Sequence, residues 1–210
     1  MIKVFIADDH ALIREGIKNL LSPLSDIKLV GETANPFEII EQIRVNKCDV
    51  LILDLSMPGK NGLDVLKEIK SIFPETKILI MTMMPEDQFA KRTLKAGASG
   101  YLTKESAPDE LITAIRRIAS GRKYVSQSLA EKLAQDLDDT AEKPIQDLLS
   151  DREFQVMKMM ASGKSQTDIA IELSISVSTV NTYRSRILKK LNLKTKAELI
   201  HFAYQNNLIK

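Results

Sequence analysis

The sequence predicts an α/β protein, a doubly wound five-stranded parallel sheet, followed by a small all-α domain. Over residues 1–120 short apolar runs alternate five times with longer stretches of helical period. Three of those five runs are almost unbrokenly apolar, as strands covered on both faces are. Past the middle of the chain the strand-like runs stop and helical periods alone remain.

Strands are expected at Ile2–Ala7, Ile27–Val30, Val50–Leu53, Lys77–Met81 and Ser99–Leu102, with helices near 11–21, 36–46, 62–72, 86–96 and 107–119. Leu63, Leu66 and Ile69 keep an i, i+3 spacing, as do Ile112, Ile115 and Ile118, so each helix carries one apolar stripe. Strand–helix repetition of this kind folds through right-handed crossovers into a parallel sheet. Gly121 closes the last of these helices. One more amphipathic helix is expected at 127–137, with Leu129, Leu133 and Leu137 on one face, and a polar linker from Asp138 to Pro144. The domains are therefore read as 1–122, a partly helical linker 123–145, and 146–210. In the last of these, Ser150 and Glu153 have the spacing of a capping box, which starts a helix at Asp151. Gly163 ends that helix, and Ser165 opens a second through about Leu173. Ser174-Ile175-Ser176 turns the chain into a third helix, from about Val177 to Leu191, and a fourth runs from about Lys196 to Tyr204.

A chain of 210 residues is comfortable for two domains, and 44% hydrophobic with 28% charged residues is ordinary globular composition. No apolar run nears the ~18 residues a membrane span needs, so no membrane partner is expected. The first residues read as a strand rather than a signal peptide, and Cys48 is the lone cysteine; both fit a reducing cytoplasm. Charge is unevenly placed. Residues 151–210 hold ten Lys/Arg against five Asp/Glu, whereas residues 1–150 hold twenty against twenty-three. An anionic partner such as double-stranded DNA is expected at the C-terminal end.

Asp8 and Asp9 follow the first strand, Asp54 ends the third, Thr82 ends the fourth and Lys104 lies just beyond the fifth. Ligands of doubly wound sheets collect beyond the carboxyl ends of the strands, where these side chains would converge. Three carboxylates held close repel unless a cation sits among them, and all-oxygen ligation suits Mg²⁺. A lysine and a hydroxyl facing them would complete a pocket for a phosphoryl group. Any one of these residues alone reads as a solvated loop residue. Five at matching strand ends do not.

These residues, with Asp54-Leu55-Ser56-Met57-Pro58-Gly59-Lys60-Asn61-Gly62 and with Ala96-Gly97-Ala98-Ser99-Gly100-Tyr101-Leu102 ahead of Lys104, resemble the receiver domain of two-component response regulators over about residues 1–120. The likeness is strongest to the NarL/FixJ type and implies a flavodoxin-like fold. It also implies Asp54 as phosphoacceptor, a sensor histidine kinase as donor, and Mg²⁺ on Asp9, Asp54 and the backbone carbonyl of Ser56, with Asp8 acting largely through water. Mg²⁺ and Lys104 would neutralise charge on the equatorial oxygens during in-line attack. Thr82 would then bond the new phosphoryl oxygens and Tyr101 would fill the space it vacates, a two-state switch. Three positions depart from the common pattern: Glu105 stands where many receivers have proline, Met83 where a small residue is frequent, and Met84 where this type often has histidine. Met83 is expected to narrow access to Asp54. His10 is read as a polar helix-start residue rather than a metal ligand, and His201 as a surface or packing residue.

From Leu149 to Ala203 the chain resembles the LuxR-type helix-turn-helix, through Ala161-Ser162-Gly163-Lys164-Ser165, Asp168-Ile169-Ala170, Leu173-Ser174-Ile175-Ser176 and Thr179-Val180-Asn181-Thr182-Tyr183. Its small core would be Ile169, Leu173, Ile175, Val180, Ile187 and Leu191. A helix of this kind fits the major groove. The resemblance implies Asn181, Thr182 and Ser185 at bases, and Arg184, Arg186, Lys189 and Lys190 at phosphates. Lysine is frequent at the position of Asn181, so the preferred DNA sequence would differ; Asn pairs with adenine. The fourth helix would pair with its copy in a homodimer formed on phosphorylation, giving a target of paired half-sites. RNA polymerase is a further partner of such regulators.

Rival readings fail on single residues. Gly163-Lys164-Ser165 mimics the end of a P-loop, but Lys158 stands where that motif needs glycine. A haloacid dehalogenase-type phosphatase has a second aspartate two residues past its nucleophile, and Ser56 is there. A constitutive binder that works without phosphate would not need Asp8, Asp9, Asp54, Thr82 and Lys104 intact. The sequence is read as a DNA-binding transcriptional regulator, not an enzyme beyond its own phosphoryl transfer and dephosphorylation.

Overall fold

Strands β1 (Ile2–Ala7), β2 (Ile27–Thr33), β3 (Val50–Leu53), β4 (Lys77–Thr82) and β5 (Gly100–Thr103) form one parallel sheet in the order β2-β1-β3-β4-β5. The computed structural model describes residues 1–131, 148–206 and 208–209, and the chain divides into two units, Met1–Asp139 and Thr140–Lys210. Helices α1 (Ala11–Leu21), α2 (Ile39–Asn46), α3 (Gly62–Ile72), α4 (Glu86–Lys95) and α5 (Pro108–Ala119) connect and follow the strands. The expected doubly wound parallel class is what the chain forms.

Strand order reverses between β1 and β3, which opens a crevice at their carboxyl ends. Val4 pairs with Val50 and Ala7 with Leu53, so Asp8 and Asp54 leave the sheet side by side. The Asp54 amide donates to the Ala7 carbonyl at 2.9 Å and extends the ladder to the site itself. Alternation sends Val4, Ile6, Val50, Ile52, Leu79 and Met81 to one face, against Ile115 and Ile118 of α5. Phe5, Leu51, Leu53, Ile78 and Ile80 take the other face, all with no exposed surface. Each such side chain contributes about 1.5–3 kcal/mol by leaving water, and this two-sided burial makes the sheet edge a rigid mount.

Two boundaries moved by three residues. β2 continues through Gly31 to Thr33, because the register slips between Val4 and Phe5 and Gly31 lies under the Phe5 ring, where a Cβ would come within 2.7 Å of Phe5 Cε2. α2 begins at Ile39 rather than near residue 36. Asn35 Oδ1 accepts from the Phe37 amide at 3.0 Å, and Thr33 Oγ1 and Asn35 Nδ2 both donate to the Glu38 carboxylate. These side chains replace the first helical turn.

Beyond α5 the chain returns to the sheet. Tyr124 bridges Gly100, its amide donating to the Ser99 carbonyl at 3.0 Å and its carbonyl accepting from the Tyr101 amide at 3.1 Å. Ser126 Oγ donates to Glu86 Oε2 of α4 at 2.6 Å. The helix expected from residue 127 is present through 131, with Leu129 buried. Leu133, Leu137 and the expected linker lie outside the described residues.

Among the described residues, the second unit contains α6 (Asp151–Ala161), α7 (Gln166–Glu172), α8 (Val177–Lys190) and α9 (Lys196–Gln205). Each helix starts on a hydroxyl cap: Ser150, Ser165, Ser176 and Thr195 accept from backbone amides of the first turn. The Ser150–Glu153 capping box is present in both directions, and α6 ends at Gly163 with φ +90, a left-handed conformation that favours glycine. Phe154, Met157, Ile169, Val180, Ile187 and Leu199 have no exposed surface and form the core. Leu173 and Leu191 are buried as expected, while Ile175 is half-buried. No helix among the described residues is long and apolar enough to cross a membrane.

Glu153 also accepts from Lys190 Nζ at 2.6 Å, which ties α8 to the start of α6. Burial pushes its carboxyl up, but Lys190 and the bonds from Ser150 outweigh burial and hold the pKa below the usual 4.5. A depressed carboxylate stabilises the fold above its unfolded pKa, and that contribution disappears as pH falls through the folded value. The second unit is expected to lose stability below about pH 4.5, and Glu153→Gln to flatten that loss. Thermal unfolding at pH 7 and pH 3.5 checks this; an unchanged pH difference in the variant would refute it.

Candidate functional site

The pairing of β1 with β3 brings Asp8 and Asp54 to one point, 2% and 1% exposed. Lys104 reaches them from beyond β5, anchored by its amide, which donates to the Thr82 carbonyl at 2.9 Å. Its Nζ lies 2.7 Å from Asp54 Oδ2 and 2.8 Å from Asp8 Oδ2. Burial pulls the ammonium's pKa down, yet the hydrogen bonds and charges of Asp54 and Asp8 outweigh burial and hold it above that of a free lysine. Lys104 is therefore a fixed cation at neutral pH.

One ammonium does not balance the carboxylates around it. Asp9 is the third, and its Oδ1 is buried without a hydrogen bond. His10 Nδ1 lies 2.9 Å from that oxygen, 3.2 Å from Asp8 Oδ1 and 4.0 Å from Asp54 Oδ2. Asp8, Asp9, His10 and Asp54 each offer one ligand atom, all within 4.8 Å of one another. Excess negative charge, a buried oxygen without a hydrogen bond and converging donors fit a divalent cation.

The β3–α3 loop fixes the orientation of Asp54. The Ser56 amide donates to Asp54 Oδ1 at 3.0 Å, leaving Oδ2 turned toward Lys104. Gly62 holds this loop close: a Cβ there would fall 2.4 Å from Leu55 Cα, so α3 starts directly on the chain leaving β3. Asn61 caps α3 by accepting from the amides of Leu63 and Asp64. Thr82 is buried, its Oγ1 3.5 Å from both Ser56 Oγ and the Met84 amide. Tyr101 has no exposed surface, and its hydroxyl donates to the Met84 carbonyl at 2.8 Å. The tyrosine is thus already inward, tied to the loop after β4. Met83 is 60% exposed beside Thr82.

The structure thus joins Asp8, Asp9, Asp54 and Lys104 in one group, with Ser56 and Thr82 against it. It also brings in His10, which the sequence reading set aside. Position next to the acidic pair was the available signal, but it said nothing about ring direction. In the second unit, Asn181, Thr182, Ser185, Arg186 and Lys189 are exposed along α8, and Thr182 Oγ1 donates to the Ser178 carbonyl. Arg184 is half-buried, with Nε buried and without a hydrogen bond. Lys190 is held by Glu153.

A parallel sheet with an acidic cluster and a buried lysine at its switch point, joined to a unit of hydroxyl-capped helices, defines a receiver with a helix-turn-helix effector. Residues 4–116 match the response regulator receiver domain, and residues 147–203 match the luxR family of bacterial regulatory proteins. Response regulator UvrY of Escherichia coli is 37% identical over 210 residues, covering 99% of this chain and 96% of that one. Among solved structures, the RcsB response regulator of Salmonella typhimurium is 27% identical with a TM-score of 0.72, covering 98% of both chains. RcsB bound to promoter rprA with the phosphomimetic BeF₃⁻ is 28% identical with a TM-score of 0.68, covering 96% of this chain and 98% of that one. The chain belongs to the response regulators of the NarL/FixJ type, with a receiver domain and a LuxR-type helix-turn-helix. It is a phosphorylation-regulated, DNA-binding transcription factor rather than an enzyme acting on other substrates, and its acidic cluster matches the receiver Mg²⁺ site.

Proposed function

We propose that Asp54 accepts a phosphoryl group from a sensor histidine kinase, and that this raises dimerisation and DNA binding by the C-terminal domain. The observation that carries the reading is the Lys104 ammonium held by Asp54 and Asp8 at the sheet's carboxyl edge. Asp54 Oδ1 is fixed by the Ser56 amide, so Oδ2 is the attacking oxygen. It forms the new bond to phosphorus as the kinase histidine nitrogen leaves. Lys104 stabilises charge gathering on the phosphoryl oxygens. Asp8, Asp9, Asp54 and the Ser56 carbonyl would hold Mg²⁺, which supplies the charge neutralisation that lets two anions meet. Thr82 Oγ1 then donates to a phosphoryl oxygen and leaves its contacts with Ser56 and Met84. Because Tyr101 is bonded to Met84, the loop's displacement reaches β5 directly.

In the effector, assigned with the boundaries 1–122, 123–145 and 146–210, Asn181, Thr182 and Ser185 face bases. Arg184, Arg186, Lys189 and Lys190 meet phosphates, Lys190 by exchanging Glu153 for DNA. RcsB supports this as a protein alike over nearly the whole of both chains and solved on a promoter. A homodimer pairing through α9 would read paired half-sites, with RNA polymerase as the downstream partner. The test is phosphoryl uptake from a small phosphodonor with Mg²⁺, followed by intact mass, and DNA affinity before and after. The parent is expected to gain one phosphoryl group and to bind DNA at least severalfold tighter; Asp54→Asn gains neither. Uptake that persists in the variant, or affinity blind to phosphate, would overturn the proposal.

A further inference from the structure

We propose that the chain after α5, from Tyr124 to the start of the helix at residue 127, is a strap that phosphoryl uptake on Asp54 unfastens by pulling Glu86 away from Ser126. The proposal rests on reading Asp54 as the phosphoacceptor. The strap is fastened to two different elements. Its root lies on β5, where the Tyr124 carbonyl accepts from the Tyr101 amide at 3.1 Å and the Tyr124 amide donates to the Ser99 carbonyl at 3.0 Å. The Arg117 guanidinium over the Tyr124 ring, 5.9 Å from its centroid, adds to this hold. Its tip lies on α4, where Glu86 Oε2 accepts from Ser126 Oγ at 2.6 Å and Oε1 from the Ser126 amide at 3.4 Å.

Ser126 is also the cap of the helix that begins at residue 127. Its Oγ accepts from the Leu129 amide at 3.1 Å, and its carbonyl accepts from the Ala130 amide at 3.0 Å. Glu86 therefore places a negative charge at the N-terminal end of that helix, where it is favourable, and turns the cap hydroxyl toward the amide it serves. Glu86 is in turn coupled to the phosphorylation site by a short, stiff piece of chain. It is the first residue of α4 and lies two residues past Met84, with Pro85 between them at φ −60. Met84 is tied to both switch side chains: its carbonyl accepts from the Tyr101 hydroxyl at 2.8 Å, and its amide lies 3.5 Å from Thr82 Oγ1. When Thr82 turns to a phosphoryl oxygen, Met84, Pro85 and Glu86 shift together. The root is bonded to sheet backbone and does not follow. A displacement of about 1 Å stretches the 2.6 Å bond from Ser126 to about 3.6 Å, where no hydrogen bond remains. Without Glu86 the cap loosens, and the helix start opens in the stretch of chain that leads on to the effector.

Residue-resolved amide hydrogen exchange on the full-length protein with Mg²⁺, with and without BeF₃⁻ as the phosphoryl analogue, reads the strap directly. In the parent, BeF₃⁻ is expected to speed exchange at the Leu129 and Ala130 amides by about tenfold or more, while the Tyr101 amide keeps its protection. Ser126→Ala and Glu86→Gln are expected to exchange fast at these two amides without BeF₃⁻ and to change little when it is added, again with Tyr101 protected. Linkage is reciprocal: a bond that the analogue breaks opposes its binding, so both variants should bind BeF₃⁻ about threefold or more tighter than the parent. BeF₃⁻ bound to the parent with exchange at Leu129 and Ala130 unchanged, or bound no more tightly by the variants, overturns the proposal and leaves Asp54 as the phosphoacceptor. A parent that neither binds BeF₃⁻ nor gains a phosphoryl group from a small phosphodonor overturns the proposal together with the reading beneath it.

Discussion

A Lys104→Ala variant is expected to lose about 3–5 kcal/mol of folding free energy without divalent cations, the cost of removing one partner from a buried ionic group. Asp8 and Asp54, 2% and 1% exposed, would lose the ammonium 2.8 and 2.7 Å away. Domains have only about 5–15 kcal/mol in total, so the receiver's melting temperature should drop by about 10 °C or more. Added Mg²⁺ should raise it by more than in the parent, because the ion binds the folded state alone and no longer competes with an ammonium for the same oxygens. Phosphoryl uptake should slow by about 10²–10³, the usual cost of one preorganised charge-stabilising group. Unfolding curves with and without Mg²⁺ decide the matter. A variant within about 1 kcal/mol of the parent would mean that this lysine is not what balances the carboxylates.

Phe154→Ala should act on the other half of the protein. Phe154 has no exposed surface and is one of eight such residues among the described part of the small helical unit. Truncating a buried phenylalanine costs about 3–5 kcal/mol, partly for lost transfer and partly for the cavity. In a unit of this size such a loss leaves little stability. Calorimetry is expected to show the effector's transition falling sharply while the receiver's stays in place. DNA binding should be largely lost, and phosphoryl uptake on Asp54 should stay within about twofold. Equal shifts in both transitions would show instead that the two units unfold as one.

The sheet edge was legible because a parallel strand order is nearly dictated by the alternation, and parallel strands end on one side. Once Asp8, Asp54, Thr82 and Lys104 were assigned to strand ends, their meeting required no knowledge of side-chain packing. The misreadings have a different origin. Gly31 looked like the end of a strand, yet the Phe5 ring needs that position bare, a tertiary demand. Residues 36–38 looked like helix until Thr33, Asn35 and Glu38 bonded one another. That Lys190 is held by Glu153 was out of reach as well, because this partner lies far away in sequence and already had a visible role in the capping box. That the His10 ring, at the start of α1, turns toward Asp8 and Asp9 was not legible either, because residue order gives no ring direction. Local periodicity and caps can be read from residue order; partners across long separations cannot.

The Tyr124 bridge bears on how the receiver can be handled as a fragment. β5 is the outer strand of the sheet, and beyond it Tyr124 is what satisfies the Tyr101 amide and the Ser99 carbonyl. A polypeptide trimmed at residue 122 would bare those groups and offer a sticky flank to other molecules. One trimmed at residue 131 would keep the flank sealed and hold the Ser126–Glu86 clasp as well.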